Sequence, residues 1–367
     1  MKLKTLHLLL FFLLLTYFSK ANVRQDHLDT LYAPKLKPYG RYLFNENNQL
    51  EMISSAVHFG IKFKGESCSI YASLKDKQAH NYIQYEIDGV YQHRIRINGN
   101  LKEPIIIKAD GNGEHSLWIY KATEAHTGAI QISKIVADDV KSIAVLKAPL
   151  IEFIGNSITC GAASDFSLFP CGTGEYHDQH NAYMAYGPRV ARKLGMNYLL
   201  SSVSGIGIYR TWNMDGPSMP QVYEHVDFQP GSPHKWDFKK YSPKIVSIAL
   251  GTNDLSTGDG KTNRKPFDET IFIERYVDFI RLVKSRYPKA QIALLSSPMI
   301  KNAQKELLER SLQIIKVKID ALYQNDKKVK TFFFPAMEPR GCSGHPSVDD
   351  HSILADQLLP FYQSLLK

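Results

Sequence analysis

The sequence predicts two cores of different class: an all-β sandwich over residues 30–146, then a three-layer α/β/α domain built on a parallel sheet over residues 147–367. Three observations predict this. The 367-residue chain exceeds the usual size of one domain. Its first part is filled by short β-rich runs separated by Gly, Asn and Asp. From Leu150 onward the runs turn continuously apolar and alternate with segments of helical length, the rhythm of buried parallel strands and crossover helices.

In the first region the strand candidates are "EMISSAVHFGIKFKG", "SCSIYASLK", "NYIQYEIDGVYQHRIRI", "EPIIIKAD", "HSLWIYKAT" and "AIQISKIVA", with turns such as "INGN" and "DGNGEH" between them. Alternation at Ile83, Tyr85 and Ile87, then at Ile95 and Ile97, fits half-buried antiparallel strands. In the second region the strands are "LIEFIG", "NYLLSSV", "KIVSIAL", "QIALLSS" and "VKTFFF". The helices are "AYMAYGPRVARKL", "IFIERYVDFIRLVKSRY", "QKELLERSLQIIKVKIDALYQ" and "VDDHSILADQLLPFYQSLL". In the second helix Ile271, Ile273, Tyr276, Val277, Ile280 and Val283 recur at helical spacing, which leaves Glu274, Arg275 and Lys284 outward.

Residues 1–21 are set apart as a secretory signal peptide. Lys2 and Lys4 precede the apolar run Leu8 to Leu15, and Ser19-Lys20-Ala21 offers a small-residue cleavage site. The run is shorter than the ~20 residues of a membrane-spanning helix, and no later segment comes closer. The expectation is a secreted or periplasmic chain with no membrane contact beyond the leader. Loss of Lys2, Lys4 and Lys20 lowers the formal charge from +9 to +6. The remaining Lys and Arg are scattered, which fits a solvated surface and no nucleic-acid partner. Cys68, Cys160, Cys171 and Cys342 permit three connectivities if all pair, with free buried thiols as the alternative. Cys160 and Cys171 are near enough to close a short loop beside Ser157. No Cys-x-x-Cys or His-x-x-x-His spacing occurs, so no metal or cofactor is expected.

In a doubly wound sheet, ligands sit at the carboxyl ends of the strands. The loop after "LIEFIG" carries Ser157, the loop after "NYLLSSV" carries Gly205, and the loop after "KIVSIAL" carries Asn253. His345, in "CSGHPSVDDH", comes just before the last helix. An ester hydrolase requires a hydroxyl nucleophile, a base, and donors aimed at the developing oxyanion. Ser157 is the candidate nucleophile and His345 the base and then acid. The N–H groups of Ser157 and Gly205, with the Asn253 amide, are the oxyanion donors. Singly, each has a plainer reading: a turn or cap Ser, a turn Gly, an Asx-turn Asn, and a loop His before a capping box of Ser347 and Asp350. Their order on successive strand ends singles them out.

The blocks "GNSIT", "SGIG", "GTND" and "GHPS" resemble those of the SGNH hydrolases, also called the GDSL esterase superfamily, which contribute Ser, Gly, Asn and His in this order. Asn156 replaces the commoner Asp before the Ser and can make the same turn hydrogen bonds. Thr159 stands where a Gly-x-Ser-x-Gly motif needs its last Gly, which argues against the α/β-hydrolase elbow. Within the superfamily the chain is similar to carbohydrate esterase family 2. "FIGNSITCG", "GIGIYRTWN" followed by "PSMPQVYEH", "GHPSV", and "KATEA" before "GAIQISKIVADD" carry the similarity, which runs from about residue 35 to the end. The resemblance implies an N-terminal jelly roll ahead of the SGNH domain. It also implies removal of O-linked acetyl groups from plant polysaccharides such as xylan or glucomannan.

Many SGNH enzymes carry an Asp three residues before the His, but here that position is Cys342. Asp349 and Asp350 fit the first turn of the final helix, where the macrodipole favours carboxylates. Family 2 esterases are similar in using a Ser-His dyad with a backbone carbonyl orienting the imidazole, so the resemblance implies a dyad of Ser157 and His345. Trp212, after the Gly205 loop, is a candidate to stack on a sugar ring, against ordinary packing; Tyr209 and Trp236 are weaker ones. Asp254 is expected to fix its loop through backbone N–H groups, and His177, His180 and His351 to be packed or exposed without function. Two rival readings are a glycan-binding protein that has lost activity and a lipid esterase of the same superfamily. Retention of all four residues weighs against the first, and the lack of a long apolar lid segment against the second.

Overall fold

The computed structural model describes residues 28–367; the leader read at residues 1–21 lies outside them. Among the described residues no helix is long and apolar enough to cross a membrane.

Nine antiparallel strands form the N-terminal sandwich among the described residues: β1 (Leu28–Tyr32), β2 (Tyr42–Phe44), β3 (Leu50–Met52), β4 (His58–Leu74), β5 (His80–Ile87), β6 (Val90–Asn98), β7 (Ile105–Lys108), β8 (Glu114–Lys121) and β9 (Ile130–Ile143). The runs "HFGIKFKG" and "SCSIYASL", predicted as separate strands, are one bent strand, β4. Its first half pairs with β8 and its second half with β7, and pairing to β9 shifts register between Lys64 and Ser69. Gly65, at φ +86°, lies at the bend, in a conformation that favours glycine. Phe59, Ile61 and Phe63 from β4 meet Ile83 from β5 and Ile132 and Ile135 from β9 in a closed apolar core.

The second domain is a five-stranded parallel sheet in the order β11-β10-β12-β13-β14, with β10 (Leu150–Gly155), β11 (Asn197–Ser202), β12 (Ile245–Ala249), β13 (Gln291–Leu295) and β14 (Lys330–Phe332). Its helices are α1 (Ser157–Cys160), α2 (Tyr186–Lys193), α3 (Met219–Val222), α4 (Glu269–Arg286), α5 (Asn302–Leu322) and α6 (Val348–Leu366). Helices α2 and α6 cover one face of the sheet, and α4 and α5 the other. In α4 two side chains depart from the predicted pattern: Ile271 is exposed, while Lys284 is buried. The core stripe instead includes Phe272 and Phe279. Lys284 buries its stem because its ammonium reaches Asp326 at 2.8 Å and lies over the Tyr323 ring.

The domains share polar contacts that neither makes alone. Arg41, ahead of β2, is buried and donates to the carbonyls of Tyr223 (2.7 Å) and His225 (2.8 Å). It also faces the buried Glu152 of β10 at 3.7 Å and packs over the rings of Tyr223, Phe228 and Trp236. Trp236, weighed above as a sugar-stacking residue, is buried against Tyr241 in this cluster. Removing one member of a buried ion pair costs about 3–5 kcal/mol. Arg41→Ala is therefore expected to lower the urea midpoint of unfolding by an amount equivalent to about 3–5 kcal/mol; an unchanged midpoint would contradict the interdomain pairing.

Candidate functional site

β10 ends at Gly155, and Asn156 turns the chain by accepting the Ile158 N–H with its side chain (3.1 Å), capping the four-residue α1. Ser157 is the first residue of that turn and is 8% exposed. Thr159, at the position that departs from Gly-x-Ser-x-Gly, hydrogen-bonds Tyr186 in the core. Gly155 must be glycine because a Cβ there would lie 2.0 Å from the Thr159 hydroxyl.

His345 Nε2 lies 2.8 Å from Ser157 Oγ, and His345 Nδ1 lies 3.0 Å from the Ser343 carbonyl oxygen. A carbonyl can only accept, so Nδ1 carries the proton and Nε2 presents its lone pair to the Ser157 hydroxyl. The partner of Nδ1 is thus backbone, not a side-chain acid. Asp350, with Ser347, forms the capping box of α6 and pairs with Arg340, as the helix-start reading expected. Cys342 forms a disulfide with Cys171, tying the turn before His345 to the 163–180 loop. The Cys160–Cys171 closure weighed from the sequence does not occur. Cys160 is a buried free thiol that faces Ser202 Oγ and Glu124 Oε2, and Cys68 is a free thiol in the sandwich core.

The oxyanion candidates fall on the next two strand ends. Gly205, at φ +75°, lies against Trp212, where a Cβ would stand 2.7 Å from the indole Cδ1, and its carbonyl accepts the Trp212 N–H. The N–H groups of Ser157 and Gly205 have no partner among the described residues. The Asn253 amide spends one N–H on the Ile206 carbonyl (2.8 Å), which orients it and leaves a second N–H to donate. Buried Asp254 holds this loop, accepting the backbone N–H groups of Ile208 and Tyr209 at 3.0 Å. Arg264 pins the Asn253 carbonyl from outside.

Trp212 is 44% exposed beside Gly205. Tyr209 is not free in this way: its hydroxyl accepts the Asp268 N–H that precedes α4, and its ring packs on Phe267. His351 is buried, with Nδ1 accepting the Tyr186 N–H. His180, expected to have no role, is fully buried directly behind the site. Its Nδ1 accepts the Ala163 N–H, and its Nε2–H faces Glu124 Oε1 at 3.4 Å.

Two residues at the site escaped sequence reasoning. Tyr176 places its hydroxyl 3.3 Å from His345 Nε2 and 3.4 Å from Ser204 Oγ. Its segment has no periodicity to read. Glu124, in the "KATEA" stretch that follows β8, reaches across the domain boundary and accepts the Ser204 N–H at 2.5 Å, one residue before Gly205. Burial pushes its carboxyl up, but the hydrogen bonds from His180 and from the Ser204 N–H outweigh this and hold it down at about 2. Burial also pushes His345 below its ordinary 6.5, partly opposed by its bond to the Ser343 carbonyl and by the charge of Glu124.

Residues 39–149 match the family model described as carbohydrate esterase 2 N-terminal, and residues 153–334 match the GDSL-like lipase/acylhydrolase family. The chain is 30% identical over 333 residues to cellulase/esterase CelE of Acetivibrio thermocellus, an alignment covering 87% of this chain and 38% of CelE. It therefore spans well under half of that relative's length. It is 28% identical over 316 residues to an acetylxylan esterase/glucomannan deacetylase of Cellvibrio japonicus, with 84% of each chain covered. Among solved structures it is similar to a family two carbohydrate esterase from Clostridium thermocellum in complex with cellohexaose. There the TM-score is 0.77 at 28% identity, over 92% of this chain and 99% of that one.

A base works only when neutral, so activity that depends on His345 should rise with pH through a limb lying below 6.5 in a kcat/KM profile. Glu124→Gln removes a negative charge that raises the His345 pKa and weakens the anchor of Ser204. A bond to a charged group is worth about 1.5–3 kcal/mol, so kcat/KM is expected to fall by about tenfold or more. The acid limb should move further down in the same variant. An unshifted limb would show that Glu124 does not act on His345.

Proposed function

Because the chain belongs to carbohydrate esterase family 2, a family of carboxylic ester hydrolases, we propose that it removes O-linked acetyl groups from plant cell-wall polysaccharides such as xylan or glucomannan, acting as a secreted or periplasmic enzyme through Ser157 and His345. The observation that carries this reading is the pairing of Ser157 Oγ with a His345 ring whose other nitrogen is held by a carbonyl. The relative from Cellvibrio japonicus supports the substrate class.

In the proposed reaction, Ser157 Oγ attacks the acetyl carbonyl carbon while His345 Nε2 takes the hydroxyl proton. The carbonyl oxygen gains charge and is met by the N–H groups of Ser157 and Gly205 and by the free N–H of Asn253. The tetrahedral intermediate collapses as His345 gives its proton to the departing sugar hydroxyl, leaving acetyl on Ser157. Water, deprotonated by the same nitrogen, then releases acetate. The Ser343 carbonyl keeps the ring in the required tautomer and accepts from the imidazolium. Trp212, exposed beside Gly205, is suited to stack on the sugar that bears the ester.

Acetate release from a chromogenic acetate ester and from acetylated xylan tests the proposal. Ser157→Ala is expected to lower kcat by ~10⁶. Equal turnover by this variant and the wild type would refute Ser157 as nucleophile. Binding of acetylated xylan without any acetate release by the wild type would favour the glycan-binding alternative. Asn253→Ala is expected to cost ~10²–10³ in kcat. Asp349→Asn should leave kcat within about tenfold, whereas loss of a triad acid costs ~10⁴.

A further inference from the structure

We infer that His80, His177 and Glu175 form a binding site for one divalent transition cation of the Zn²⁺ class, set where the sandwich meets the loop that carries Tyr176. His80 begins β5, and its Nε2 lies 2.5 Å from Asp178 Oδ1. Asp178 is 2% exposed and also receives the Tyr82 hydroxyl (2.6 Å) and the Glu175 N–H (2.7 Å), so it is an acceptor with fixed direction. That bond puts the His80 proton on Nε2 and leaves Nδ1 as a lone pair. His177 Nε2–H donates to the His80 carbonyl at 3.2 Å, which likewise leaves its Nδ1 as a lone pair.

Both lone pairs are approached by the Glu175 carboxylate, which lies 3.9 Å from His80 Nδ1 and 3.5 Å from His177 Nδ1. The Glu175 carboxylate thus lies near two lone pairs with no donor among the three groups, and the two rings stack at 4.4 Å. The group whose ligand atoms lie within 4.8 Å of one another, His80 with His177, is completed by Asp178, which in this arrangement holds the His80 ring and not the ion. Metal-binding histidines take this form: one nitrogen free, the other N–H held by a carboxylate or a backbone carbonyl. Two imidazoles and one carboxylate suit Zn²⁺ and its neighbours, whereas Ca²⁺ and Mg²⁺ prefer sets of oxygen. Glu175 is 67% exposed, so it can swing the short distance that coordination requires and the ion has a path from solvent. His80 and His177 stand far apart in sequence, which is why no ligand spacing reveals them. Occupancy would tie β5 to the residues on either side of Tyr176, whose hydroxyl meets His345.

The test uses the full chain without a histidine tag, stripped with EDTA and titrated with ZnCl₂ by calorimetry at pH 7.5. Metal content after gel filtration and thermal melting accompany the titration. The expected result is saturable binding of one equivalent and a higher Tm in the wild type. Affinity should fall at least tenfold in Glu175→Gln, an exposed position, and binding should be lost in His177→Gln. Nitrogen-15 NMR of the wild type should show Zn²⁺ moving the Nδ1 resonances of His80 and His177. Absence of saturable binding, undiminished binding in Glu175→Gln, or Nδ1 resonances that respond to protons alone would overturn the inference.

Discussion

The site turns on one hydrogen bond, from His345 Nδ1–H to the Ser343 carbonyl, because it fixes which ring nitrogen faces Ser157. The carbonyl is aimed by a backbone that the chain does not adopt freely. Ser343 sits in the left-handed region at φ 51°, ψ 34°, which costs a non-glycine residue about 1–2 kcal/mol. Its neighbours hold it there. Cys342 is bonded to Cys171 and donates its N–H to the Ala163 carbonyl, and the Gly341 N–H bonds the His345 carbonyl. Gly341 has no room for a Cβ, which would meet the carbonyls of His345 and Ala163 within 3 Å. Cys342, three residues before His345, thus anchors the turn whose carbonyl orients the imidazole.

The second dependence runs between domains. Arg94 of β6 donates to the carbonyls of Asp165, Asp178 and His180, gathering the ends of the loop that carries Cys171 and Tyr176. Glu124 holds the residue before Gly205. Lys121, buried beneath them, donates to the Ile53 carbonyl, and burial lowers its pKa to about 7. The sandwich therefore supplies the floor under the loops that carry Tyr176 and Gly205, and its charged side chains are placed where they lose solvent but gain partners.

Much of the fold was legible because burial on both faces of a parallel sheet leaves continuous apolar runs, and because α6 announces itself through Ser347 and Asp350. Ser157, Gly205 and Asn253 could be picked out for the same reason: a parallel sheet delivers the ends of β10, β11 and β12 to one edge. Contacts across the chain were not legible. The Cys171–Cys342 bond spans 171 residues and the Glu124–Ser204 contact 80, and neither leaves a local pattern. Tyr176 lies on a loop whose position is set by Arg94 and a disulfide rather than by periodicity. Tyr209 and Trp212 look alike in sequence, and only packing separates the one that anchors α4 from the one left exposed. Lys284 shows the limit of polarity patterns, since a long stem can be buried while its head finds Asp326.

The central claim, that a backbone carbonyl stands in for an acid by fixing the His345 tautomer, is tested most directly by nitrogen-15 NMR of the imidazole rings near neutral pH. The His345 signals are identified by their loss in His345→Gln. The account predicts a protonated, pyrrole-type Nδ1 and an unprotonated, pyridine-type Nε2. A resonance pair showing the proton on Nε2, or an even mixture of the two tautomers, would contradict it.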